Sequence, residues 1–122
     1  MFDWAKYLGL AEELAGRGDE AALRSAISRA YYAAFGVTAS HLRGRGVVVP
    51  VFKTHAFAWR AFTNNRDPLH VEIGLQLDRL RQWREAADYD ANYVGTLHED
   101  ARAAIGGARL VLDAIERLPL AD

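Results

Sequence analysis

The stretch from Glu20 to about Arg43 constrains the fold more than any other part of the chain. Asp19 stands before it as an N-cap, the stretch is rich in Ala and Leu, and no glycine interrupts it until Gly36, so capping and helix propensity agree along its length. At ~1.5 Å per residue such a helix spans about 36 Å, long enough to serve as the spine of a bundle. Leu23, Ile27, Ala30, Tyr31, Ala34 and Thr38 share one apolar face, while Ser25, Arg29, Tyr32 and Gly36 line the face beside it. That second face mixes a cation, a phenol and small residues. It reads either as a helix–helix contact in which Tyr32 finds a hydrogen-bond partner, or as one wall of an anion-binding cleft.

The flanking segments follow the same 3.6-residue logic. Asp3 is a good N-cap for a first helix running to about Ala15, where Gly16-Arg17-Gly18 stops it; Trp4, Leu8, Ala11 and Ala15 form its apolar stripe. After Gly44-Arg45-Gly46, the run Val47 to Phe52 is apolar but broken by Pro50, and is expected to be an extended loop over the core. A short helix is expected from Thr54 to Phe62, then turn chemistry from Asn64 to Pro68, then a fourth helix from about His70 to Ala87. Thr96-Leu97-His98-Glu99 reads as a capping box opening a last helix that ends near Arg117, before Pro119. Gly106-Gly107 costs that helix on the order of 2 kcal/mol relative to two alanines, which implies a close backbone approach there, within the bundle or across a dimer. The chain is expected to be all-α, an up-and-down four-helix-type bundle with an additional short helix, in one domain of 122 residues.

Arg84 breaks the pattern of the fourth helix. Ile73, Leu77, Leu80, Arg84 and Ala87 lie on one helical stripe, so an arginine stands where an apolar residue is expected. A guanidinium keeps its charge, and burying it alone costs several kcal/mol, so Arg84 must meet a carboxylate, an anion or water in a cleft. Asp88, four residues on, shares its face. One reading is a structural Arg84–Asp88 pair that closes the helix; the other is a binding or catalytic arginine.

Composition narrows the function classes. There is no cysteine, which excludes disulfides, a thiol nucleophile and Cys-based metal sites; the net charge of −1 provides no overall basic field, so contact with nucleic acid would rest on a local patch such as Arg79, Arg81 and Arg84. The histidines His41, His55, His70 and His98 form no metal-binding pair on one helix face, and no phosphate loop or nucleophile elbow is visible. No metal or other cofactor is expected. The N-terminus lacks the pattern of a secretory signal and no segment approaches 18 apolar residues, so the expectation is a soluble, cytoplasmic protein without a membrane partner.

Ser25-Ala26-Ile27-Ser28-Arg29-Ala30-Tyr31-Tyr32-Ala33-Ala34-Phe35 resembles the second-helix signature of small stand-alone HEPN (higher eukaryotes and prokaryotes nucleotide-binding) domains. Lys53-Thr54-His55 resembles the Lys-Ser/Thr-His before their third helix, and Arg84-x-x-Ala87-Asp88-Tyr89 the arginine-bearing end of a later one. In order, these matches span from about residue 20 to 117. The resemblance implies an up-and-down bundle, usually a homodimer, in toxin–antitoxin, defence and RNA-processing settings, often beside a minimal nucleotidyltransferase. Catalytic members of the family are metal-independent ribonucleases that use an Arg followed after four to six residues by His. Here Tyr89 and Asp90 stand where that histidine would be. A phenol, which titrates near pH 10 in water, is a poor general base at neutral pH.

The expectation is therefore a dimeric HEPN-like module, non-catalytic or weakly catalytic, that binds a nucleotide or RNA, or a nucleotidyltransferase partner. Arg84 would hold the anion, Asp88 orient it, and Arg29, Tyr32, Lys53 and His55 form a second wall; Tyr89 and Tyr93 are candidates to stack on a base. The alternatives are a metal-independent ribonuclease toxin in which Arg84 stabilises phosphate charge while His55 or Tyr89 moves the proton, and a purely structural domain built on a buried Arg84–Asp88 pair.

Overall fold

The computed structural model describes residues 1–49, 54–64 and 66–118, with the side chains of Thr54 and Trp59 left out. The described residues form α1 (Lys6–Arg17), α2 (Glu20–Gly44), α3 (Thr54–Thr63), α4 (Pro68–Tyr89) and α5 (Leu97–Arg117), and contain no strand. The chain is all-α, as its periodicity implies.

Helix α2 packs against each of the other four, while α5 packs against α1, α2 and α4. Among the described residues α1 and α4 do not meet, so α1, α2, α4 and α5 close a four-helix ring in which α2 and α5 also touch across the diagonal. The short α3 lies on α4 and α2. Spine and stripes are as expected: Leu23, Ile27, Ala30, Tyr31, Ala34 and Thr38 are all buried, as are Ile73, Leu77, Leu80 and Ala87 on α4. Each fully buried Leu or Ile contributes roughly 1.5–3 kcal/mol of hydrophobic stabilisation.

Several boundaries differ from the expectation, each for a local reason. Asp3 Oδ1 accepts a hydrogen bond from Ala5 N–H at 3.1 Å, which makes a turn, and α1 begins only at Lys6. That turn lays the Trp4 indole over Gly36, where any Cβ would overlap the ring. At its other end α1 continues through Gly16 and stops at Gly18, whose φ of 79° needs a glycine. The Asn64 to Pro68 segment is partly a cap: Asp67 Oδ1 accepts from Leu69 N–H at 3.1 Å and Pro68 opens α4. The expected capping box at Thr96 does not form, since Thr96 makes no side-chain cap bond. Tyr93 and its neighbours hold that end of the bundle instead, the Tyr93 hydroxyl donating to Asp100 Oδ2 at 2.6 Å.

The backbone approach expected at Gly106-Gly107 is not found among the described residues: a Cβ at Gly107 would meet side chains of α4, Gln76 Oε1 at 3.0 Å and then Leu80, and Gly106 faces open space. Within the apolar run expected to be extended, residues 47–49 have no regular structure. The remainder of that run, together with Lys53 and Pro119, lies outside the described residues.

Candidate functional site

Arg84 points into the junction of α2, α3 and α4. Its side chain is 11% exposed, and its Nε is buried without an acceptor. Nη1 lies 3.8 Å from Asp88 Oδ2, too far for a hydrogen bond, so the expected pair exists only as a loose contact, and Asp88 remains 29% exposed. Asp88 Oδ2 instead accepts from Ser28 Oγ at 3.3 Å, which joins α4 to α2.

Aromatic rings take the place that a carboxylate would fill. The Arg84 guanidinium carbon is 5.4 Å from the Tyr31 ring centre, 5.7 Å from Tyr32 and 5.9 Å from Tyr89. Cation–π contact of this kind stabilises a desolvated guanidinium by about 1–2 kcal/mol while leaving its N–H donors unused. Arg29 lies 5.1 Å from the same Tyr32 ring and 4.7 Å from Tyr7. Tyr32 is thus contacted by two arginines from different helices.

His55, at the start of α3, completes the cluster. Its ring stacks on Phe35 with 4.4 Å between centres and on Tyr31 at 5.5 Å, and its Nδ1 is hydrogen-bonded to the Tyr31 hydroxyl. Burial pushes the Tyr31 hydroxyl above its ordinary titration range. Burial, then the Arg84 and Arg81 charges, hold the His55 imidazole below its own. Tyr31 therefore keeps its proton and His55 is a neutral imidazole, so the bond between them joins two uncharged groups.

The depressed His55 titration has a stability consequence. The folded state takes up a proton less readily than the unfolded chain, so the contribution of His55 is complete above the unperturbed histidine value of about 6.5 and is lost as pH falls below it. We expect His55→Gln to flatten the decline in urea midpoint between pH 7.5 and 5.5. An unchanged slope would mean that the imidazole protonates freely in the fold.

The cluster unites Arg84, Asp88, Tyr89, Tyr32 and His55, with Arg29 at its edge. Tyr93 takes no part: its hydroxyl is bound to Asp100 and its ring is 5.7 Å from Arg24. The arginines of α4 do not form a common patch either. Arg79 lies over Trp83 at 5.4 Å, and Arg81 is tied to Asp78 and Glu85 at 2.8 Å each. Arg84 alone of the three turns to the cluster.

Two members, Tyr31 and Ser28, were not foreseen as site residues. Tyr31 reads as core by its spacing, and the only signal for more was its hydroxyl, which needs a partner when buried. Arg24 was also unforeseen: it reaches across from α2 to bind the end of α4, through Ala87 O at 3.1 Å, Asp90 O at 2.6 Å and Ala91 O at 3.3 Å.

Among the described residues, no group of three or more His, Asp and Glu is placed to hold a metal, and no helix is long and apolar enough to cross a membrane. No protein-family model, no curated protein and no solved structure matches the chain.

Proposed function

We propose that this chain is an HEPN-like helical module that binds an anionic ligand, the phosphate of a nucleotide or of RNA, at Arg84. The observation that carries the reading is the state of the guanidinium: nearly buried, with Nε unpartnered and its nearest carboxylate at 3.8 Å. A purely structural arginine would be expected in a close, hydrogen-bonded pair, because the desolvation cost is offset only by good geometry. An incoming phosphate would supply the missing acceptors, and the rings of Tyr32 and Tyr89 offer surfaces for a base. The resemblance to HEPN domains extends the proposal to a homodimer and to a nucleotidyltransferase partner in a toxin–antitoxin or defence setting.

The ribonuclease reading draws on one observation, that His55 and Arg84 lie against the same two rings, Tyr31 and Tyr32. Against it, Nδ1 is already engaged by the Tyr31 hydroxyl, so that nitrogen is not free to take a proton from a substrate.

The test is titration of fluorescein-labelled single-stranded RNA and of a labelled mononucleotide by fluorescence anisotropy, in EDTA. Saturable binding is expected, with Arg84→Ala weakening it by about ten- to a hundredfold, the value of one or two charge-assisted hydrogen bonds. Arg84→Lys is expected to recover only part, since an ammonium lacks the planar fork. Equal binding by wild type and Arg84→Ala would sink the proposal in favour of a structural arginine. RNA cleavage in EDTA, lost in both Arg84→Ala and His55→Ala, would replace it with the ribonuclease.

A further inference from the structure

A second cluster of basic side chains lies at the other end of α2, away from Arg84. A cavity of about 260 Å³ opens where the last turn of α2 meets α3 and the start of α4, lined by His41, Arg45 and His70 together with Leu42, Val47 and Phe62. His41 Nε2 is buried and has no hydrogen-bond partner. A buried imidazole nitrogen left unpaired is costly, and the ring that carries it is one of the groups lining the cavity.

His70 is held in place from behind: its Nδ1 is 2.9 Å from Asp67 Oδ2, and its ring stacks on Phe62 with 5.4 Å between centres. Engagement of Nδ1 by the carboxylate leaves Nε2 as the free ring nitrogen. On the α2 side, the carbonyls of His41, Leu42 and Arg43 accept from the N–H groups of Arg45, Gly46 and Val47, which blunts the negative end of that helix. Helix α4 begins at Pro68, so its positive end adjoins the cavity.

We propose that His41, Arg45 and His70 form an anion site for a tetrahedral oxyanion of phosphate or sulfate type, separate from the Arg84 cluster. The cavity is below the roughly 300–1,000 Å³ of sites for drug-sized ligands, which fits a free oxyanion or a terminal phosphoryl group. Leu42, Val47 and Phe62 wall it with apolar surface, which strengthens charge interactions within. The Arg45 guanidinium argues against a metal cation, as does the lack of a third His, Asp or Glu ligand among the described residues.

The charges around His41 fix the pH behaviour. Burial, then Arg45 and His70, hold the His41 imidazole below its ordinary range; Asp67 is turned to His70 and to Leu69 N–H, and α3 contributes Phe62 and Ala61. A bound anion offsets the Arg45 and His70 charges and draws a proton onto His41.

The experiment is a sulfate titration followed by the imidazole nitrogen resonances of His41 and His70, in wild type and in Arg84→Ala, at pH 5.5, 6.5 and 7.5 with chloride at equal ionic strength as control. Sulfate keeps its charge over this range, so any pH dependence belongs to the protein. Saturable shifts at both rings are expected in both proteins, with affinity rising by up to about tenfold per pH unit lowered, the slope of one linked proton. His41→Gln should reduce that slope, and His70→Gln should weaken binding at least fivefold; retained amide dispersion shows that each variant folds. Replacing sulfate by phosphate and by a mononucleotide distinguishes a free oxyanion from a phosphoryl group on a larger molecule. Shifts that do not saturate, shifts matched by chloride, shifts that disappear in Arg84→Ala, or binding unchanged in both histidine variants would each overturn the proposal.

Discussion

Gly74→Ala is expected to lower the free energy of unfolding by about 2–3 kcal/mol, read as a shift in urea midpoint at constant slope. Alanine is the better helix former, by about 1 kcal/mol at an exposed site, so secondary structure alone predicts the opposite sign. The tertiary contact decides. A Cβ at Gly74 would stand 2.7 Å from the Thr63 backbone nitrogen and 3.0 Å from its Cα, with the Thr63 hydroxyl closer still. A hydroxyl can rotate away, but a backbone must move, and moving it shifts the end of α3 from α4. The double variant Gly74→Ala, Thr63→Ala should therefore recover only part of the loss. Full recovery would place the conflict in the Thr63 side chain alone, and a stabilising Gly74→Ala would show that α3 is free to slide.

Arg24→Ala is expected to cost about 3 kcal/mol of stability, a few times the net value of a neutral hydrogen bond, and to weaken the anion binding proposed for Arg84 as well. The Arg24 side chain is 18% exposed and caps the C-terminal end of α4 from another helix. Its Nη1 donates to Ala87 O and Asp90 O and its Nη2 to Ala91 O, while Nε meets Glu20 at 3.1 Å. Ala87 O is among the carbonyls an α-helix end leaves without partners, the other two lie just past that end, and a cation there also opposes the negative end of the helix dipole. The same turn carries Asp88 and Tyr89, so releasing it loosens one side of the Arg84 cluster. Arg24→Lys keeps the charge but loses the fork, and should fall between wild type and alanine. A loss under about 1 kcal/mol in Arg24→Ala would mean that the helix end is held by its own Asp90 N–H bond to Ala86 O and that the arginine is a surface residue in energetic terms.

The anomaly of Arg84 was legible because it breaks a regular stripe: its neighbours Leu80 and Ala87 are buried, and the arginine between them has nowhere else to go. Its partners were only half legible. Asp88 shares the helical face by spacing, yet the side chains stop at 3.8 Å because Ser28 draws the carboxylate toward α2 and three aromatic rings occupy the space around the guanidinium. Tyr31 illustrates the limit. Its position in the stripe predicts burial, which is correct, but burial conceals the hydroxyl that engages His55 Nδ1.

By itself the amino-acid sequence determined the helical class, the long α2, the buried face of each helix and the presence of a misplaced cation on α4, because periodicity and capping are local and repeat along the chain. Only the tertiary structure decided what that cation meets. His55 is 24 residues from its Tyr31 partner and Arg24 is 63 from Ala87, separations over which no spacing rule operates. The helix crossing at Gly74 and the pairing of His41 with His70 around one cavity have the same origin. They depend on how whole helices pack, and packing is set by the summed fit of many side chains rather than by any one segment.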